Sequence, residues 1–295
     1  MLTPIFSARV RGYYSSLGTR DKRKKQKLHL MNKDLSIASM NKAWRNWRKL
    51  KAPRKLIDWL RWGVPLKWTG GPPRTQKCVE SEDPRVIEEM DKLVLDGAFV
   101  PGTAKVVSPT FVIPKKNGQY RLIHDLRGVN EKLTPPKFSL RGVKEAIEVV
   151  KRSKFLVSLD LHHGYQQVAV AQEARPYLGA WQNGREVLAT VLPFGLSVSP
   201  FIFTRFTQWV ARFIRKRLGI YTAVYIDDIL IGSQEEAELI EGVKKIKKLF
   251  KFLGIIISDK TTLVPQEEVE YLGLLWHAGR KEITITEQRR REYKR

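Results

Sequence analysis

The stretch TAVYIDDILIGS, residues 222–233, sets two adjacent carboxylates inside the most strand-like run of the chain. β-Branched and aromatic residues flank Asp227 and Asp228 on both sides. Thr222–Ile226 and Ile229–Gly232 therefore read as the arms of a hairpin with the two acids at its tip. Asp-Asp is a poor tight turn, because Asn-Gly or Asp-Gly reaches the positive φ angles at lower cost. Neighbouring anions also repel unless a cation lies between them. A hairpin that breaks local rules so openly commits the chain to antiparallel pairing and points to chemistry at its tip.

Around it, strands and helices mix without regular βαβ alternation, which predicts an α+β fold with an antiparallel sheet. DPRVIEEMDKLVLDGAFVP (83–101) reads as an acid-capped amphipathic helix ending at Gly97. Residues 106–130 read as two apolar strands around the turn KKNG. A helix is expected at 140–153, and a strand, KFLVSLDL (154–161), that closes on the acid Asp160. A Pro-Phe-Gly loop then leads into a long helix. Beyond the acid hairpin come a helix near 235–253, a short strand GIIIS and a further strand VEYLGLLWH.

Charge narrows the partner. The chain has 54 Lys and Arg against 30 Asp and Glu, a formal net charge of +24, which favours a polyanion. No apolar run approaches the roughly 20 residues of a membrane span, so nucleic acid is the better match and no membrane partner is expected. The single cysteine, Cys78, excludes an internal disulfide and suits a reducing, intracellular compartment, cytoplasmic or nuclear. Residues 1–56 hold sixteen basic residues and two acids. Residues 1–37 read as a basic, disordered arm. Its first twenty residues lack acids and share the composition of a mitochondrial presequence, and DKRKKQK suits a nuclear address or a phosphate-binding tail.

Residues 38–77 form a Trp/Arg-rich helical segment and linker. Trp44/Trp47 and Trp59/Trp62 are each three apart, on one helical face, with Pro53 between two short helices. These tryptophans read as an anchor on the main body; stacking on bases is the other role open to indole beside arginine. TGGPPRTQK (69–77) reads as the linker, residues 78–280 as the globular body and 281–295 as a basic tail.

Asp160, Asp227 and Asp228 can meet if their strands share a sheet. Hard cations such as Mg²⁺ take oxygen ligands. Two such ions, about 4 Å apart, can activate an attacking hydroxyl and stabilise a leaving oxygen in phosphoryl transfer. The adjacent histidines His162 and His163 look less suited to a shared metal, since neighbours in a strand face opposite ways.

Several stretches, in order, strengthen this reading. YIDD (225–228) resembles the YxDD box of reverse transcriptases, and SLDLHHGYQQVAV (158–170) resembles the strand that carries their first aspartate. LPFGLSVSPFIF (192–203), the hairpin VIPKKNGQYRLIHDLRGVN (112–130) and EYLGLLWH (270–277) are similar to the family's nucleotide-contacting loop, fingers hairpin and primer grip. LDLHHGY and LPFGL look closest to gypsy-type and DIRS-like retrotransposons.

The resemblance implies a right-hand polymerase fold, with fingers around 83–158 and 178–190 and a palm from 159–177 and 191–277. It implies an RNA-directed DNA polymerase with Asp160, Asp227 and Asp228 as catalytic ligands of two Mg²⁺ ions, Mn²⁺ serving as substitute. Lys115, Lys116, Arg121, Leu161, Tyr165 and Phe194 would contact the incoming dNTP. Tyr225, Ile226, Pro193, Gly195, Lys260, Leu272 and Gly273 would contact an RNA template and DNA primer. The sequence stops at TITEQRRREYKR, which leaves little or no room for a thumb; a partner subunit or another polyprotein segment would supply thumb and RNase H. The alternative is a catalytically inactive, domesticated nucleic-acid-binding scaffold that keeps the palm.

Overall fold

A computed structural model describes residues 36–292, apart from 116, 117, 119, 141, 260 and 262. Nearly all of the arm expected at residues 1–37 lies outside the described residues. Three short helices come first: α1 (Ser39–Lys42), α2 (Trp44–Lys49) and α3 (Arg54–Trp62). They are built into the body, as an apolar stripe of tryptophan requires. Trp47 is fully buried; its indole N–H donates to the Leu253 carbonyl at 2.8 Å, and its ring meets Phe206 edge-on at 5.5 Å. Trp59 lies 6.0 Å from Phe206, and Trp68 4.9 Å from Tyr177. Gly63 ends α3 at φ +85°, where a Cβ would stand 2.5 Å from the Ala171 nitrogen, so only glycine lets the chain pass this close.

Strand β1 (Gln76–Lys77) falls inside the stretch expected as linker. Helix α4 (Pro84–Asp96) follows the sequence rules closely: the Asp83 carboxylate accepts from Arg85 N–H at 2.9 Å, and Gly97 closes the helix at φ +88°. Then come β2 (Phe99–Pro101), β3 (Val106–Val107), β4 (Thr110–Pro114), β5 (Tyr120–His124), α5 (Arg127–Asn130), α6 (Gly142–Lys151) and β6 (Phe155–Asp160). Strands β7 (Gly179–Gln182) and β8 (Arg185–Ala189) turn on Asn183-Gly184, both at positive φ. The remainder is α7 (Ser199–Phe213), β9 (Tyr221–Tyr225), β10 (Asp228–Ser233), α8 (Glu236–Leu253), β11 (Glu268–Tyr271), β12 (Leu274–His277), β13 (Glu282–Ile285) and α9 (Glu287–Glu292).

The sheets are mostly antiparallel: β6-β10-β9, β11-β12-β13 and the pair β4-β5. The five-stranded sheet β1-β3-β7-β8-β2 departs from expectation, since β1–β3 and β3–β7 run parallel. Two further departures have local causes. GIIIS is not a strand; its one pairing is an isolated bridge from Ile257 to Leu161. The Gln167 side chain takes the place of a strand partner, accepting from Ile256 N–H and donating to the Ile256 carbonyl, both at 3.0 Å. VEYLGLLWH is two strands rather than one, because Leu272 and Gly273 turn at φ +55° and +68°.

His124 joins the β4–β5 hairpin to the body by donating from Nε2 to the Gly179 carbonyl at 2.9 Å; its buried Nδ1 has no hydrogen-bond partner. Burial outweighs that carbonyl and Asp125 and pushes its pKa down to about 4. The folded value lies below the unfolded one, so the unfolded chain takes the proton first. Stability is full above about pH 6.5 and falls as pH drops toward 4. Between pH 7 and 5 the wild type should lose about 2 kcal/mol more than His124→Gln, read from urea unfolding at both pH values.

Candidate active site

In the register of β6 against β10, Asp160 stands directly opposite Asp228, the first residue of β10. Asp228 also pairs with Tyr225 of β9, so the turn is Ile226-Asp227. This moves the tip by one residue from the sequence reading, which put both acids there. Ile226 carries the strain at φ +57°, a conformation that a β-branched side chain rarely adopts. The Leu161 N–H donates to the Asp227 carbonyl at 3.2 Å and ties the tip to the chain leaving β6. Three carboxylates from three chain positions thus share one corner of a sheet.

That crowding has an electrostatic signature. Burial, then the charges of Asp227 and Asp160, push Asp228 up to about 7. Asp227 is raised by burial above all, with Asp160 adding to it, while a backbone hydrogen bond and the Arg121 charge work against the rise. The donors are all hard oxygens. Among the described residues no three His, Cys, Asp or Glu side chains form a ready-made metal cage. An ion here would need oxygens from water or phosphate, the habit of magnesium rather than of a structural metal.

One wall of this corner is aromatic. Tyr165 lies 5.3 Å from Phe194 and 5.7 Å from buried Phe203, and the exposed Arg121 guanidinium sits 5.2 Å over the Phe194 ring. Burial, then the charges of Asp227 and Tyr225, push the Tyr165 phenol up to about 12, so it stays protonated beside the acids. Gly164 makes room for the wall, as a Cβ there would meet Phe203 Cε1 at 2.9 Å and Asp227 Cβ at 3.3 Å. Buried Pro193 accepts from the Ser199 hydroxyl at 3.2 Å, and Gly195 turns the loop at φ +104°.

The hairpin β11–β12 abuts the same strand: the Tyr271 hydroxyl donates to the Asp228 carbonyl at 3.4 Å. Leu272 and Gly273 form its turn. Lys115 lies at the turn end of the β4–β5 hairpin that carries Arg121; Lys116 and Lys260 lie outside the described residues. His162 and His163 do not face opposite ways: the chain turns after β6, and their rings stand 4.2 Å apart, edge to face.

Four supporting residues were not singled out from the sequence. Asn130 donates to the Gly195 carbonyl at 2.8 Å and accepts from Ser197 N–H at 2.9 Å. Thr261 Oγ1 accepts from Asp160 N–H at 3.1 Å, Tyr271 reaches Asp228 as above, and Gly142 leaves space for the Tyr225 ring. Of these, only Gly142, a small residue at a tight approach, leaves any trace in a single sequence.

A family model described as reverse transcriptase (RNA-dependent DNA polymerase) matches residues 113–275. The chain is 31% identical over 196 residues to the retrovirus-related Pol polyprotein from transposon gypsy of Drosophila melanogaster, covering 64% of this chain and 19% of that protein. It is 27% identical over 231 residues to the enzymatic polyprotein of cauliflower mosaic virus, strain Strasbourg, covering 75% and 33%. The chain therefore spans a fifth to a third of these relatives. Among solved structures, the foamy viral protease-reverse transcriptase dRH in complex with dsDNA matches at TM-score 0.66 and 22% identity, over 77% of this chain and 39% of that one. The same protein with an RNA/DNA hybrid matches at 0.64 and 19%, over 96% and 36%. The expected right-hand polymerase architecture is the one observed.

Proposed function

Because the chain belongs to the reverse transcriptase (RNA-dependent DNA polymerase) family, we propose that its acid hairpin is the centre of an RNA-directed DNA polymerase. The observation that carries this is the register of β6 and β10, which sets Asp160 opposite Asp228 with Asp227 beside them. The reaction joins the primer 3′-oxygen to the α-phosphorus of a deoxynucleoside triphosphate and releases pyrophosphate. Asp160, Asp227 and Asp228 would hold two Mg²⁺ ions, or Mn²⁺ in their place. Such ions supply a more acidic attacking hydroxyl and charge neutralisation at the leaving oxygen.

The chain's own groups do the positioning. Arg121, with Lys115 on the same hairpin and Lys116 next to it in sequence, neutralises the triphosphate, and Phe194 under the Arg121 guanidinium holds that side chain in place. Leu161, Tyr165 and Phe194 shape the nucleotide pocket. The turn Leu272–Gly273 places the primer end, while Tyr225, Ile226, Pro193, Gly195 and Lys260 contact the paired template and primer. The foamy viral relatives were solved with dsDNA and with an RNA/DNA hybrid, which supports a paired partner of this kind.

The flat Tyr165 edge beside Asp227 would leave no space for a 2′-hydroxyl. Tyr165→Ala should therefore lower the preference for dTTP over UTP, measured as the ratio of kcat/KM values, by about a hundredfold. The activity itself is tested by extending oligo(dT) on poly(rA) with dTTP. Product lengthening that requires Mg²⁺ or Mn²⁺ supports the proposal. Binding of the hybrid without extension under either metal replaces it with the inactive scaffold.

A further inference from the structure

The Trp/Arg-rich segment carries more charge than anchoring needs. Residues 39–68 contain nine basic residues and one acid, Asp58, which lies 3.8 Å from Arg54. Trp47, Trp59 and Trp68 point inward, but Trp62 at the end of α3 is 66% exposed. The Arg61 guanidinium sits 4.4 Å over the Trp62 ring and 5.0 Å over Trp44, which Arg45 and Arg48 also approach, at 5.0 and 5.4 Å. Indole faces banked by guanidinium groups lie on a strongly basic surface. Trp62 also lines the mouth of a cavity of about 650 Å³, shared with Arg54, Lys55, Trp59, Asp58 and Glu173.

We propose that α2 and α3 form a second nucleic-acid site, specific for single strands, in which an unpaired base stacks on Trp62. Arg45, Arg48 and Arg61 meet the flanking phosphates. The surface uses no residue of the acid hairpin and lies outside residues 113–275, so it stands whether or not the polymerase reading does. An exposed indole needs an unpaired base to stack on, which excludes a closed duplex as the preferred ligand. An anionic membrane fits less well. The cavity is concave and presents two carboxylates, which would repel lipid headgroups but can accept hydrogen bonds from the amino edge of a base.

The test uses the full chain and a 20-nucleotide single strand of dT carrying 5-iodouracil, irradiated and digested with trypsin. The expected crosslink falls on the fragment WGVPLK, residues 62–67. Crosslinks confined to other fragments overturn the proposal. In anisotropy titrations Trp62→Ala should bind about tenfold more weakly at fixed salt, and Trp62→Phe should recover most of the loss. Replacing Arg45, Arg48 and Arg61 by Gln should make the log–log salt dependence shallower by about 2. Wild-type binding by both variants overturns it as well. Loss of binding only to phosphatidylserine-containing vesicles on Trp62→Ala would assign the surface to membranes instead. Trp62 is exposed, so unchanged thermal unfolding of the variants is expected and checks that the fold is intact.

Discussion

Asp228→Asn should slow primer extension by about a thousandfold or more, some 4 kcal/mol of transition-state stabilisation. The substitution keeps size and shape and removes one of three negative charges at the corner where β6 meets β10. Hybrid affinity should hold, because binding to the nucleic-acid backbone comes from cations elsewhere on a chain of net charge +24. Stability should move the other way. One fewer charge in a half-buried cluster of like charges raises the melting temperature at pH 8 in EDTA. Loss of rate with a gain in stability is the mark of a site strained for function; loss of both would mean that Asp228 is merely structural.

Gly195→Ala should be strongly damaging, although it removes no charged or polar group. Gly195 sits at φ +104°, and a Cβ there would run into the His124 carbonyl oxygen, which is backbone of β5 and cannot swing away. Backbone strain and overlap together should cost about 3 kcal/mol in urea unfolding. Gly184 is the matched control: it lies at φ +72° in the β7–β8 turn with nothing within 4 Å of a built Cβ. Gly184→Ala should cost only about 1 kcal/mol, all of it backbone strain. The difference isolates the collision with β5. Relief of that collision would shift the 193–197 loop, carrying Phe194 away from Arg121 and Tyr165. The KM for dTTP should then rise about tenfold.

What could be read in advance follows from the range of the interactions. The Asp83 cap and the Gly97 stop are written within a few residues and appear where the local pattern puts them; the acid hairpin forms too, with its turn one residue earlier, at Ile226-Asp227. The three acids and their aromatic wall were legible because the motifs occur in a recognisable order. The parallel pairings β1–β3 and β3–β7 join segments 30 and 72 residues apart, and Gln76–Lys77 has no strand pattern of its own. Asn183-Gly184 was a readable turn signal that went unused. The expectation that His162 and His163 face opposite ways failed because the strand rule was applied beyond Asp160, where β6 ends. The roles of Asn130, Thr261 and Tyr271 depend on partners 40 to 100 positions away, and no spacing in the sequence announces them.

The most direct test is addition of a single nucleotide to a labelled DNA primer on an RNA template with Mg²⁺, wild type beside Asp227→Asn/Asp228→Asn. The wild type should add one nucleotide and the variant none, with both binding the hybrid equally at matched salt. Equal binding with no addition by either protein, in Mg²⁺ or Mn²⁺, would contradict a polymerase centred on the acid hairpin.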